Sequence, residues 1–338
     1  MLSNSINNPF YCKKVKGKWI PKEANEINLS NYCNTFDRCN RLPSATGVDF
    51  SIYITPYIRG QKDLAAFGKA SLIGLIRKYY SETHGVIQAT MHPINPYGGE
   101  YDVIDKNFPD AFSQILSNKP EDKGKAKKHF DAIVYCIKDI LSELKDENGK
   151  PIPIIFRPFH ERLQINGDHG FWWNYSTDEE YKEVYRKLVN CIRSDYTNVL
   201  FVYNPNLSIN TTAINKNDFL RAYPGDDVID IIGIDLYEER IKAVGGINNL
   251  VPLFCSIDDI ATSLGKVHII PEIGNKMGEI KDFFTTLPKF IDSIGIVPFV
   301  MTWNNQNKNY WFTPYDRKTD YYKEYIHFLE RNRIYLPK

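Results

Sequence analysis

Two glutamates stand at the ends of apolar runs that read as strands. Glu161 follows Ile152–Pro158, and Glu272 lies near the end of Val267–Ile273. They are 111 positions apart, about 37 for each of three strand-and-helix units. Strands three places apart in a ring of eight face each other across its mouth, so two such carboxyls can meet over one pocket. Two carboxyl groups held about 5–5.5 Å apart can exchange an acetal bond by double displacement. One protonates the leaving oxygen while the other attacks the sugar carbon. Either glutamate taken alone reads as well as a loop salt bridge, so the pairing carries the argument.

Other polar groups gather at the same strand ends: His92 and Asn95, Arg157 and His160, Asn204 and Asn206, Asp235 and Tyr237, then Trp303. Polar groups placed directly after buried runs cost free energy unless they are paired or functional, and their recurrence at six strands indicates one shared site. Arg157 is suited to hold Glu272 by a charge-assisted hydrogen bond, with a rim salt bridge as the structural alternative. Trp303 ends the last strand, where its ring can floor a sugar site. His160-Glu161 begins like a zinc-binding HExxH, but Gln164 occupies the place of the second histidine and the segment follows a strand. No metal and no cofactor are expected, and neither nucleotide-binding glycine fingerprint follows any strand.

The elements that must position these groups repeat a simple unit: a β-branched or aromatic run, a polar loop, then a helical pattern. Strands are expected at Gly47–Ile54, Gly85–Met91, Ile152–Pro158, Val199–Pro205, Asp230–Tyr237, Val267–Ile273 and Ile296–Trp303. Most are nearly continuous apolar runs, as in parallel strands covered on both faces. Helical patterns lie between them, such as Lys123–Leu144, Asp178–Ser194, Ile247–Leu264 and Ile280–Ser293, and Tyr321–Arg333 closes the chain. This is the pattern of a (β/α)8 TIM barrel in one domain over residues 1–338, with a doubly wound sheet as runner-up. The eighth strand is expected in an atypical first βα unit within residues 1–46, around Val15–Ile20.

Composition narrows the ligand. The formal net charge is +1 with both signs mixed along the chain, so no one-signed field attracts nucleic acid or an anionic membrane. Aromatic residues make up 14% of the chain, a stock of flat rings for the apolar faces of sugars, although most must be core. No apolar stretch is long enough to span a membrane, and no signal peptide is visible at the start. Of six cysteines, Cys136 and Cys191 fall in apolar helical patterns and are expected reduced, while Cys33 and Cys39 are a possible pair. The acceptors Asn174 and Asn206 lie beside the expected cleft and are expected unmodified.

The segment Arg157-Pro158-Phe159-His160-Glu161, followed by Asn166-Gly167 and Phe171-Trp172-Trp173, resembles the acid/base segment of glycoside hydrolase family 26, the mannanases of clan GH-A. Pro271-Glu272-Ile273-Gly274 resembles that family's nucleophile segment. Met91-His92-Pro93-Ile94-Asn95-Pro96, Val202-Tyr203-Asn204-Pro205-Asn206, Asp235-Leu236-Tyr237 and Thr302-Trp303 resemble its remaining strand ends, in order. The resemblance runs from about Gly47 to the C-terminus. It is specific, because most related clan members place Asn before the acid/base where this chain has His160. Two features depart from the pattern: residues 1–46 hold no Gly-His-Gln element, and the stretch from Glu161 to the tryptophans is longer than usual.

The resemblance implies a retaining hydrolase of β-1,4-mannan, with Glu161 as acid/base and Glu272 as nucleophile. His92 and His160 would bind sugar hydroxyls, Tyr237 would hold the nucleophile, and Trp172 or Trp173 would line the reacting subsite beside Arg157 and Trp303. Endo action on mannan, glucomannan or galactomannan is the leading expectation. Xylan or mixed-linkage glucan, mannobiose release from a chain end, and a non-catalytic carbohydrate-binding barrel are the alternatives. A secreted or extracytoplasmic monomer is expected, acting on β-mannan or manno-oligosaccharides.

Overall fold

The computed structural model describes residues 12–26, 43–101, 111–117, 124–163, 170–303, 312, 314 and 318–331. In chain order the strands are β1 (Cys12–Val15), β2 (Lys18–Pro21), β3 (Ala45–Asp49), β4 (Val86–Thr90), β5 (Ile154–Arg157) and β6 (Arg162–Leu163). They continue as β7 (Val199–Tyr203), β8 (Pro205–Asn206), β9 (Ile231–Gly233), β10 (Leu236–Tyr237), β11 (Val267–Gly274) and β12 (Val300–Thr302). One parallel sheet runs β3-β4-β5-β7-β9-β11, with β12 on the far side of β11 and the two-residue β10 pairing its end. β12 returns against β3, so the sheet is a nearly closed TIM barrel. Seven barrel strands lie among the described residues, each close to an expected run.

Burial on both faces explains why those runs are apolar: Phe156 and Phe201 are about 1% exposed or less, as are Ile232 and Ile270. Inside the ring, the amide of Gln88 on β4 donates across to the carbonyl of Pro271 on β11 at 3.2 Å. Outside, the helix Asp178–Arg193 buries Tyr181, Val184, Tyr185, Leu188, Val189 and Ile192, a three-and-four spacing that gives one apolar stripe. Its start is fixed by a capping box between Thr177 and Glu180. Losing such a cap costs about 1 kcal/mol. Two of its tyrosines reach the barrel top, Tyr181 donating to the carbonyl of Phe159 and Tyr185 to that of Val202. The helix therefore braces the segment that carries Glu161.

Two expectations are corrected. The run Gly47–Ile54 is not all strand: β3 stops at Asp49, and Ser51–Ile58 is a helix. Its partner β4 ends at Thr90, where Phe50 N–H makes the last cross-strand bond, so residues 51–54 have no neighbour to pair with. Asp49 then accepts from Ser51 N–H at 2.7 Å, and Tyr53 and Ile54 are buried on the helix. Tertiary context overrides their β-branched composition. The next helix, Lys62–Thr83, closes onto this one through Gly68, where a Cβ would come within 2.3 Å of the Ile52 carbonyl.

Val15–Ile20 is not a barrel strand either. β1 and β2 form an antiparallel hairpin whose turn residues Lys16 and Gly17 both have positive φ, 48° and 79°. Cys12 and Trp19 pack on Phe67 and Ala70 of the helix Lys62–Thr83, outside the ring. Residues 1–11 and 27–42 of the expected first βα unit, with the pair Cys33 and Cys39, lie outside the described residues. Cys12, Cys136, Cys191 and Cys255 are free thiols.

Candidate active site

The C-terminal ends of the parallel strands converge on one cluster. Arg157, the last residue of β5, is fully buried. Its Nη1 donates to Glu272 Oε1 at 2.7 Å, and its Nη2 donates to both oxygens of Asp235 at 2.9 and 2.8 Å. Its Nε donates to Asn204 Oδ1 at 2.9 Å, so the whole guanidinium edge is used. Burial works against the charge, but Asp235 and Glu272 outweigh it and raise the Arg157 pKa. Tyr237 donates to the other oxygen, Glu272 Oε2. The nucleophile candidate is thus held at both oxygens by groups from two different strands.

Glu161 lies just past β5 in a strained stretch, with positive φ at both Phe159 (47°) and Glu161 (54°). Non-glycine residues in this region cost about 1–3 kcal/mol each and tend to cluster at functional sites. Glu161 N–H donates to the Asn204 carbonyl at 2.7 Å, and the short parallel pair β6-β8 follows at once. One oxygen each from Glu161, Asp235 and Glu272 lies within 4.8 Å of the others. Burial, and then the charge of Glu272, push the Glu161 carboxyl up to about 7, while Arg157 and His92 pull it back.

Glu161 and Asp235 also perturb each other's carboxyl, and one proton between the two relieves their repulsion. Burial pushes Asp235 upward too, against the pull of Arg157. Asp235 already accepts two guanidinium N–H groups and the amide of Asn204 at 3.3 Å. Those donors favour its ionised form, so the shared proton belongs on Glu161. The same three carboxylates are spaced as metal ligands, but the guanidinium among them already supplies the counter-charge.

His160 and His92 form one wall. Their rings meet edge to face with centroids 4.7 Å apart. His160 is buried, with Nε2 at 3.9 Å from Glu272 Oε1, and burial plus the charges of Arg157 and His92 hold its pKa well below the ordinary value. His92 Nδ1 lies 2.6 Å from Asp49 Oδ2. Trp303 is partly exposed beside them, its backbone N–H donating to the Ile273 carbonyl and its ring 6.4 Å from that of His92.

Trp172 and Trp173 are placed differently from the sequence reading. They are 2% and 0% exposed, and each spends its indole N–H on a carbonyl, that of Pro93 for Trp172 and of His160 for Trp173. Both rings sit inside the wall. The ring that faces His92 and His160, at 5.3 and 5.5 Å, is Phe171, which stacks on Trp173 at 4.4 Å. Sequence reasoning missed Phe171 because two larger rings follow it. It also missed Asp49, although an acid directly after the apolar end of β3 was a legible signal.

A family model described as Glycosyl hydrolase family 26 matches residues 25–327, nearly the whole chain. The chain belongs to glycosyl hydrolase family 26. Within the family it is similar to a mannan endo-1,4-beta-mannosidase of Bifidobacterium adolescentis, 30% identical over 241 residues. That match covers 65% of this chain and 22% of the relative. A mannan endo-1,4-beta-mannosidase of Bacillus subtilis strain 168 is 28% identical over 229 residues, covering 63% of this chain and 58% of that protein. The family 26 chain thus matches only part of the length of these curated relatives. Among solved structures, the catalytic domain of the Bacillus sp. JAMB-750 GH26 endo-beta-1,4-mannanase superposes with a TM-score of 0.73 at 26% identity. That superposition covers 88% of this chain and 78% of the other.

Proposed function

We propose that this chain is an endo-acting β-1,4-mannanase that cleaves mannan, glucomannan or galactomannan with retention of configuration. The observation that carries the reading is the meeting of Glu161 and Glu272, with oxygens within 4.8 Å at the C-terminal mouth of the barrel. That spacing fits the about 5–5.5 Å of retaining enzymes and leaves no room for the water an inverting pair needs, at about 6.5–9.5 Å. The printed names of the relatives support mannan as the substrate.

In the first step Glu161 gives its proton to the glycosidic oxygen as that oxygen leaves the anomeric carbon. Glu272 attacks the same carbon from the other face, and a glycosyl ester forms. Esterification removes the Glu272 charge, one of the two causes that raise the Glu161 pKa, so Glu161 becomes the stronger acid. Now ionised, it takes a proton from water. The hydroxide attacks the anomeric carbon and frees Glu272. Arg157 and Tyr237 hold the attacking carboxylate throughout, and the rings of Phe171 and Trp303 bound the sugar site.

Every one of these groups comes from one chain, so a monomer suffices. A polymeric substrate that cannot cross a membrane favours a secreted or extracytoplasmic enzyme. The test is turnover of mannotetraose and linear mannan by the wild type and by Glu161→Ala and Glu272→Ala, with the first-formed anomer read by NMR. Internal cleavage with the β-anomer first is expected. Equal behaviour of all three proteins would end the catalytic reading, and turnover of xylan or mixed-linkage glucan in preference to mannan would redirect it.

A further inference from the structure

The inference concerns a carboxylate that the mechanism above does not use. Asp49 is the last residue of β3, and His92 follows the neighbouring strand β4. Both side chains are mostly shielded from solvent, 17% and 13% exposed, and their 2.6 Å contact runs between two strand ends that the sheet register holds side by side. The other oxygen of Asp49 accepts from Ser51 N–H at 2.7 Å, and the Ser51 hydroxyl accepts from the backbone N–H of His92. Asp49 therefore cannot turn without breaking the helix start, and His92 is held at its ring and its backbone.

We infer that Asp49 is a positioning residue for the proposed glycosidic reaction: by taking His92 Nδ1–H it fixes that ring and makes Nε2 a hydrogen-bond donor toward the bound sugar.

The ring surroundings put the imidazole in the wall of the proposed sugar site. His92 is enclosed by the rings of Tyr101, Phe171 and His160 at 5.2, 5.3 and 4.7 Å, the same walls that bound the sugar site. A neutral imidazole that donates from Nδ1 offers only a lone pair at Nε2, whereas an imidazolium donates from both nitrogens. The groups facing the ring decide between them. Asp49 lies on the β3 side, Glu161 after β5 and Glu272 on β11, while His160 is neutral. Burial opposes the charge, but Asp49, Glu272 and Glu161 together outweigh it and raise the His92 pKa. The imidazolium in turn pulls the Glu161 pKa down, so the hold of Asp49 reaches the acid/base residue through His92.

The reading rests on the proposed function, and two measurements keep the two apart. In Asp49→Asn the amide oxygen still accepts from Nδ1–H but the charge is gone. The His92 imidazole pKa, followed by NMR, should fall by about one unit or more, the usual size of a single opposite-charge effect. On mannan, kcat/KM should fall roughly tenfold or more, as for a lost charged hydrogen bond. The alkaline limb of the pH profile should move upward, because Glu161 loses a positive neighbour. Asp49→Ala should loosen the ring as well and lose more activity than Asp49→Asn.

An Asp49 that only seats the helix start would lower the melting temperature of both variants while leaving the limb and the His92 titration where they were; that result overturns the inference. A wild type that leaves mannan untouched defeats the functional reading alone, since the His92 titration still reports the hold of Asp49. If neither variant folds, a His92 pKa in the wild type at or below that of free imidazole overturns the inference instead.

Discussion

Arg157 Nη1 and Glu272 Oε1 are 2.7 Å apart although 115 positions separate the residues in the chain, one on β5 and the other on β11. The same guanidinium grips Asp235 through two further bonds, so three charged groups share one buried centre. Removing the cation leaves two buried carboxylates without their counter-charge, which costs about 3–5 kcal/mol. Arg157→Met is therefore expected to lower the unfolding free energy by that amount, read from denaturant curves, and to abolish turnover. Arg157→Lys keeps the charge but not the fork, and should retain most of the stability while losing kcat. A lysine variant with unimpaired kcat would show that the planar geometry is irrelevant.

A second prediction concerns pH. Glu161 must carry a proton to act as the acid, and its pKa is pushed up to about 7 by burial and by Glu272. Activity is therefore present below that value and lost as pH rises through it. In Glu161→Ala the alkaline limb should vanish, and mannan turnover should fall by about 10²–10⁴-fold, the usual size of a proton-transfer contribution. A mannoside whose leaving group needs no protonation should form the glycosyl-enzyme in this variant at nearly the wild-type rate. If that activated substrate suffers as badly as mannan, Glu161 is not the acid.

Much of this site was legible in the sequence because its residues share one local signature, a polar group at the end of an apolar run. Glu161, Glu272, Arg157 and His92 all follow that rule. What escaped was settled by contacts between elements. The run after Asp49 has strand composition, yet β4 stops at Thr90 and leaves it no partner. Val15–Ile20 has strand-forming residues at its ends but straddles the turn of a hairpin whose two arms pair only with each other. The order Phe171-Trp172-Trp173 gives no sign of which ring faces inward, because a short 3-10 turn over Trp172–Tyr175 sets the direction of each.

A third prediction isolates the second grip on the nucleophile. Tyr237 donates to Glu272 Oε2, and its hydroxyl is the only part that does so. Tyr237→Phe keeps the ring, which packs against Phe312 at 5.7 Å, and deletes one hydrogen bond to a charged group. Such bonds are worth about 1.5–3 kcal/mol, or a kcat loss of roughly 10- to 150-fold if the interaction acts on the attacking oxygen. KM and the melting temperature should change little. A variant that loses binding and keeps kcat would assign Tyr237 to the substrate instead.

The last prediction separates two stacked rings. Trp173 is fully buried and bonded to the His160 carbonyl, while Phe171 lies on its outer face and is turned toward His92 and His160. Trp173→Ala removes a large core side chain and one indole donor, so it should cost stability, about 3–5 kcal/mol, and reduce activity only as far as the wall that carries His160 shifts. Phe171→Ala removes a partly exposed ring and should cost far less stability. Its effect should fall on mannan turnover, through a higher KM and a lower kcat/KM, because the sugar loses a flat apolar surface. Unfolding curves and steady-state kinetics on both variants decide the matter. If Phe171→Ala unfolds as readily as Trp173→Ala and keeps its kcat/KM, the two rings form one structural unit and the sugar is bounded by other groups.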